Sequence, residues 1–299
     1  MNVHEVAKIM PSSVTVYKKI EDRSLSEAQL IALSQNWTKH EYNGFMSKET
    51  RAKVLNMLSA WQEAIYVHSE ERKSAGRSQV HKLRFLTLTI SKETTIGDNE
   101  VKRTALIPFI QELKRQFAVV HYFWRAEAMK NGRIHFHLIV DRWLDKNLVN
   151  YIWDKQQFLA GITTEEPPYS PHYSSPSTRI EVIKGGESAF EYVAKYVSKD
   201  EGVRKIEGRI WGCSDGLREI SVPSVKVDVE LAKELTELID NQKAEVLEFD
   251  YARIYKIDVL RQKTTLANHL LFNMVYYYTD VYTYLYSDLM KRDNNVVMY

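Results

Sequence analysis

The sequence predicts an α+β fold: a central, mainly antiparallel sheet with helices packed on one face, flanked by N- and C-terminal helical segments. Three observations predict it. Short runs of alternating or β-branched character at 85–90, 119–127 and 134–140 read as strands. Two stretches between and after them, 101–117 and 144–159, carry apolar residues at helical spacing. The order strand, helix, hairpin, helix belongs to an antiparallel sheet whose helices lie on one side and leave the other face free.

Taken in order, Ser24-Leu-Ser-Glu27 resembles a capping box opening a helix through Leu33. Ser47 opens a longer one, in which Val54, Leu55, Leu58, Trp61, Ile65 and Tyr66 recur as one stripe. The basic, glycine-containing stretch from Arg72 to Arg84 reads as a linker and a phosphate-contacting arm. Phe85-Leu-Thr-Leu-Thr-Ile90 then alternates as a strand, with Thr87 and Thr89 on one face. Residues 161–177, rich in proline and serine, form a long loop, and Arg179 to Lys184 a strand that Gly185-Gly186 breaks. From Asp228 to Asp250 the chain is acidic with helical periodicity. This organisation gives an N-terminal helical segment over 1–75, a catalytic domain over 76–222 and a mainly helical C-terminal segment over 223–299.

At 299 residues, 44% hydrophobic and 27% charged, the chain has the composition of an ordinary soluble protein. A net charge of +2 does not announce a nucleic-acid partner, so any case for one has to be local. A single cysteine, Cys213, excludes an intramolecular disulfide and fits a reducing, cytoplasmic setting. No secretory signal opens the sequence and no apolar run reaches membrane-spanning length.

The stretch Glu127-Ala-Met-Lys-Asn-Gly-Arg-Ile-His-Phe-His137 reads as a hairpin carrying a metal site. Alternation puts His135 and His137 on one face and Ile134, Phe136, Leu138 and Val140 on the other. Two imidazoles hold a divalent ion weakly, so a third ligand is needed, and Glu127 is delivered by the neighbouring strand. A two-residue turn on Asn131-Gly132 would put that carboxylate on the wrong face. A three-residue loop over Asn131, Gly132 and Arg133 brings Glu127 opposite His137, and is the expected form.

A second decisive element is Glu187-Ser-Ala-Phe-Glu-Tyr-Val-Ala-Lys-Tyr-Val-Ser-Lys199, read as a helix. On a helical wheel Tyr192, Lys195, Tyr196 and Lys199 share one face, while Phe190, Val193, Ala194 and Val197 form the other. Two phenols interleaved with two ammonium groups suit nucleophilic attack. Ionising a phenol at neutral pH costs about 4 kcal/mol, which an adjacent lysine and a metal-polarised target can offset.

The alternating strand at Phe85, then His135-Phe-His137 with a carboxylate eight residues upstream, then a doubled Tyr-x-x-Lys on a helix, together resemble the rolling-circle replication initiators of the HUH endonuclease superfamily. The tandem tyrosines are similar to those of the two-tyrosine type found in small single-stranded DNA phages and bacterial plasmids. The resemblance spans roughly residues 80 to 220, and Trp211-Gly-Cys-Ser-Asp-Gly-Leu217 is similar to bacterial plasmid and phage members as well. It implies a site-specific DNA endonuclease and strand transferase. Mg²⁺ or Mn²⁺ would be held by His135, His137 and Glu127. Tyr192 and Tyr196 would attack in turn to leave a 5′-phosphotyrosine link, with Lys195 and Lys199 orienting or neutralising. The implied substrate is single-stranded or hairpin origin DNA, with Arg125, Lys130 and Arg133 placed near its backbone. The implied location is the cytoplasm of a bacterial host. The sequence has no helicase-type phosphate loop, so a host helicase and polymerase are the expected partners.

A transposase or relaxase of the same superfamily shares this chemistry and differs in substrate context. A cupin-like metal oxygenase also places His-x-His on a strand, but that fold is all-β with glycine-rich turns, whereas this chain interleaves long helices and holds 11 glycines. A DNA-binding protein that no longer cuts is disfavoured by the presence of both ligands and tyrosines.

Overall fold

The structure is a computed structural model and describes residues 3–10, 13–20, 46–76, 82–91, 95–182, 204–241, 244–248, 252–256 and 275–287. The chain divides into two compact units, Gly44–Ile220 with Val281–Tyr299, and Met1–Asn43 with Ser221–Asp280. The fold is α+β, with two antiparallel sheets and helices.

In the first unit, helix α1 (Lys48–Ser74) starts where the sequence places it, with the Ser47 hydroxyl accepting from the Thr50 N–H at 3.1 Å. Strand β3 (Arg84–Thr89) follows. Next comes α2 (Asp98–Val101), which runs through a π-helical turn, Lys102–Leu106, into α3 (Ile107–Phe117). The hairpin β4 (Tyr122–Ala128) and β5 (Ile134–Val140), α4 (Lys146–Leu159), β6 (Thr178–Val182) and β7 (Trp211–Cys213) complete the sheet. Its order is β6-β3-β5-β4-β7, so the imidazole-bearing strand lies at the centre.

One sheet face is core. Leu86, Leu88, Phe136, Leu138 and Val140 are fully buried. Phe136 meets Trp153 of α4 edge to face at 6.2 Å, and Trp153 meets Phe109 of α3 at 5.3 Å. Each such side chain contributes on the order of 1.5–3 kcal/mol by leaving water. The Trp153 indole N–H donates to the Thr89 carbonyl at 3.0 Å, which fixes α4 to the end of β3. The opposite face carries the imidazoles, and it is open only in part, since Phe85, Phe123 and Ile139 on it are also buried. Beside β4, Trp61 of α1 donates to the Tyr286 hydroxyl at 3.0 Å, and both rings pack edge-on against His121. The long loop over 161–177 is tied to α4, with the Tyr173 hydroxyl donating to Asp154 at 2.9 Å and Asn147 donating to the Pro171 carbonyl at 2.7 Å.

The edge strand β7 shows why Trp211-Gly-Cys carries a glycine. Gly212 pairs with Trp124, and a Cβ there would meet the Trp124 indole nitrogen at 2.7 Å and two ring carbons at 2.9 and 3.1 Å. The indole is buried and rigid, so it cannot yield cheaply. Gly212→Ala is expected to cost about 1–2 kcal/mol by overpacking, read as a lower urea midpoint with an unchanged slope. An unchanged midpoint would refute this account of the glycine.

In the second unit, β1 (Val3–Met10), β2 (Ser13–Ile20), β8 (Ser224–Lys226), β9 (Glu245–Glu248) and β10 (Ala252–Lys256) form a sheet of order β8-β1-β2-β10-β9, with helix α5 (Val229–Asp240) in the same unit. The flanking segments are therefore not helical throughout, as the sequence reading expected. Alternation in Ser13-Val-Thr-Val-Tyr favours a strand, and the partners that stabilise it come from more than 200 residues away, out of reach of any local pattern. The expected helix start at Ser24 to Glu27 lies outside the described residues.

Candidate metal centre

β4 and β5 pair with Glu127 opposite His135 and Arg125 opposite His137. The expected pairing of Glu127 with His137 is corrected by two residues, although the face is the one expected. Gly132 explains the slip. Its φ is +81°, its N–H donates to the Met129 carbonyl at 2.8 Å, and the Met129 N–H donates to the Arg133 carbonyl at 2.8 Å. A three-residue hairpin loop ends on a left-handed residue, which glycine adopts without strain. The loop is therefore Lys130, Asn131 and Gly132, not Asn131 to Arg133. Moving it by one residue slips the pairing by two, and an even slip keeps every side chain on its face.

The three ligand atoms converge. His135 Nε2 lies 2.6 Å from Glu127 Oε1, His137 Nε2 lies 2.9 Å from the same oxygen, and the two nitrogens are 3.0 Å apart. One proton cannot satisfy three atoms so placed, and two N–H groups aimed at each other repel. A cation satisfies all three, and among the described residues this is the group of histidine and acidic side chains able to hold one. Edges of 2.6–3.0 Å are shorter than the about 3.4 Å edge of a tetrahedral shell with bonds of about 2.1 Å and match the about 3.0 Å edge of an octahedral one. The residues present fit a divalent ion bound on one face, with positions left for other oxygens.

Electrostatics prepares the ligands. Burial pushes the Glu127 carboxyl up, but its bonds to His135 and His137 outweigh this and hold it well below the usual carboxylate range. Burial pushes the His137 imidazole down, against the opposing pull of Glu127, so it is held in the neutral form that ligates. His137 Nδ1 lies 3.3 Å from the Thr87 hydroxyl, directly across the β3–β5 pair, and its ring stacks on Phe85 at 5.3 Å. An Nδ1–H donated to that hydroxyl leaves Nε2 free for the metal. Side-chain exposures of 14% for His135, 11% for Glu127 and 5% for His137 open the site toward the first two.

Of the three basic residues expected near DNA, Arg125 is buried on the ligand face beside the triad. Arg133 donates to the carbonyls of Ile90 and Ser91 at 3.0 and 3.1 Å, so it braces the hairpin. Lys130 is exposed at the hairpin tip. Tyr192, Lys195, Tyr196 and Lys199 lie outside the described residues.

Two features went unread in the sequence. Thr87 was placed on the right face without a role, which its position across from His137 supplies. Asp98 and Lys102, one helical turn apart, grip the 204–210 segment. Asp98 accepts two bonds from Arg204 at 2.6 and 2.7 Å, and Lys102 donates to the carbonyls of Glu207 and Arg209. Arg204 in turn donates to the Gly132 carbonyl at 2.6 Å, at the tip of the ligand hairpin. A charged residue on a helix surface gives no local signal of such a partner.

Residues 83–201 match the family model for the replication-associated protein ORF2 group. The matched stretch begins just before β3, contains the whole ligand hairpin and extends past Tyr192 and Tyr196. It covers about two fifths of the chain and supports a replication initiator. No curated protein and no solved structure matches the chain.

Proposed function

We propose that the chain initiates rolling-circle DNA replication as a two-tyrosine HUH endonuclease, nicking and rejoining a single strand through a 5′-phosphotyrosine intermediate. The observation that carries the reading is the convergence of Glu127, His135 and His137 on the central strand and its neighbour, within residues matching the replication-associated protein family. Residues 76–222 form the endonuclease domain in this reading, with 1–75 and 223–299 as accessory segments.

Glu127, His135 and His137 would hold Mg²⁺ or Mn²⁺, which when bound supplies charge neutralisation at the scissile phosphate. The phenol oxygen of Tyr192 or Tyr196 forms a bond to phosphorus as the bond to the 3′ oxygen breaks. The departing oxygen takes up a proton and becomes the 3′-hydroxyl that primes synthesis. Lys195 and Lys199 orient the phenol or offset the charge that develops on the phosphoryl oxygens. The second tyrosine repeats the exchange on the newly made strand, so no outside nucleophile is needed.

Tethering supports the pairing of these elements. Arg204 is bonded to the hairpin tip, and Tyr196 is eight residues before it, so full extension allows about 27 Å between the two Cα atoms. The substrate in this reading is single-stranded or hairpin origin DNA, with unwinding and synthesis supplied by a host helicase and polymerase in the bacterial cytoplasm. Among the described residues no helix is long and apolar enough to cross a membrane.

The test is incubation with Mn²⁺ and labelled single-stranded oligonucleotides tiled across the DNA that encodes the chain. The native protein is expected to form a covalent adduct that Tyr192→Phe or Tyr196→Phe reduces and the double change abolishes. An adduct that survives the double change removes the nucleophile assignment.

A further inference from the structure

The sheet of the second unit has two unlike faces. Pairing of Ala7 with Val16 and of Ile9 with Val14, with Tyr255 beside Val14, gathers buried side chains on one of them. The alternate positions make the other face. Lys226 pairs with Val6, Val6 with Tyr17, Lys8 with Thr15, and His4 with Lys19, while Lys256 lies beside Ser13. Lys19, Lys226 and Lys256 are exposed, and Lys8 and Tyr17 are half-buried.

This face is basic by segregation. Among the described residues its one carboxylate is Glu245, which pairs with Lys256 at 3.4 Å, so Lys8, Lys19 and Lys226 add positive charge without an acidic neighbour on the face. The acids of the unit gather elsewhere, with Glu230, Glu237 and Asp240 exposed on α5. Tyr17 stands on a middle strand amid the lysines, with the Lys8 ammonium 5.7 Å from its ring centroid. A chain with a net charge of only +2 thus concentrates cations on one flat surface with an aromatic ring at its middle.

We propose that this face binds single-stranded nucleic acid, with Lys8, Lys19 and Lys226 contacting phosphates and Tyr17 stacking on a base. Cations match the backbone charge, and a ring presented on a flat sheet can be met only by a base that is not already stacked in a duplex. The surface lies outside residues 83–201, which carry the family match, and uses none of the metal ligands or tyrosines of the proposed nicking site. It would hold a strand whether or not that strand is cut.

The test uses the full chain, a fluorescent oligothymidine of about 20 nucleotides and EDTA, so that metal-dependent chemistry is off. Lys8→Glu with Lys226→Glu is expected to weaken binding at least tenfold at about 100 mM salt and to flatten the dependence of log affinity on log salt by about 1.4, the two lost phosphate contacts at about 0.7 each. Tyr17→Ala is expected to weaken it about fivefold or more. Lys233→Glu, on exposed α5 of the same unit, is expected to change nothing. A 5-iodouridine oligonucleotide should photocrosslink within residues 13–20. Native-like affinity and salt slope in a folded Lys8→Glu/Lys226→Glu protein, or crosslinks confined to residues 83–201, would overturn the proposal. Neither result bears on the tyrosine adduct, which is scored separately with Mn²⁺.

Discussion

His137→Ala is expected to lower divalent-metal affinity at least 100-fold and to abolish the covalent DNA adduct, with the fold retained. His137 is the least exposed of the three ligands and sits on the central strand, so no neighbouring donor can replace its nitrogen. Glu127→Gln is expected to act in the same direction, since it leaves the two imidazoles without the anion that both contact. Thr87→Val probes the orienting bond. It removes the hydroxyl 3.3 Å from Nδ1 without touching a ligand, and a tenfold loss of affinity is expected. Calorimetric titration with Mn²⁺ reads all three. Wild-type affinity in His137→Ala would mean that the three atoms converge for some purpose other than holding a metal.

The ligand set was legible because strand alternation is a strict rule. Once His135 and His137 were on a strand, their shared face followed, and a carboxylate eight residues upstream had only two faces to choose from. The register was not legible to the same degree. Deciding between loops over 130–132 and 131–133 depends on which residue takes the left-handed conformation, and Gly132 answers that only when it is required to end the loop rather than to centre it. The parity of the error preserved the site. Helices α1, α3 and α4 were legible from the spacing of Trp61, Leu113 and Trp153 with their neighbours. Strands β1 and β2 were missed because their remaining partners, β8 and β10, come from the other end of the chain, and pairing over such a separation leaves no trace in a local window.

Asp98→Ala is expected to destabilise the first unit by about 3 kcal/mol at pH 7, a large effect for a residue far from the ligands in sequence. Asp98 is 5% exposed at the first position of α2, where the helix dipole favours a carboxylate, and it accepts three bonds, two from Arg204 and one from the Glu207 N–H at 3.0 Å. Removing one partner of a buried ion pair costs about 3–5 kcal/mol, and Arg204, 38% exposed, remains partly solvated, which keeps the loss at the lower end. The pH dependence has a definite sign. Burial pushes the Asp98 carboxyl up, but its bonds to Arg204 and Glu207 outweigh this, so its folded pKa lies below the ordinary 3.8. A carboxyl so depressed adds stability that is present above its unfolded pKa and is lost as pH falls through the folded value. Urea unfolding should therefore show the gap between native protein and variant shrinking once the pH falls below about 3.8. A gap that stays constant from pH 7 to the acid limit of folding would refute the ion-pair account. The same substitution separates the two parts of the proposed chemistry. Arg204 joins Asp98 to the Gly132 carbonyl and directly follows the segment bearing Tyr192 and Tyr196. Loosening it should reduce adduct formation more than tenfold while Mn²⁺ affinity, set by β4 and β5, changes less than twofold.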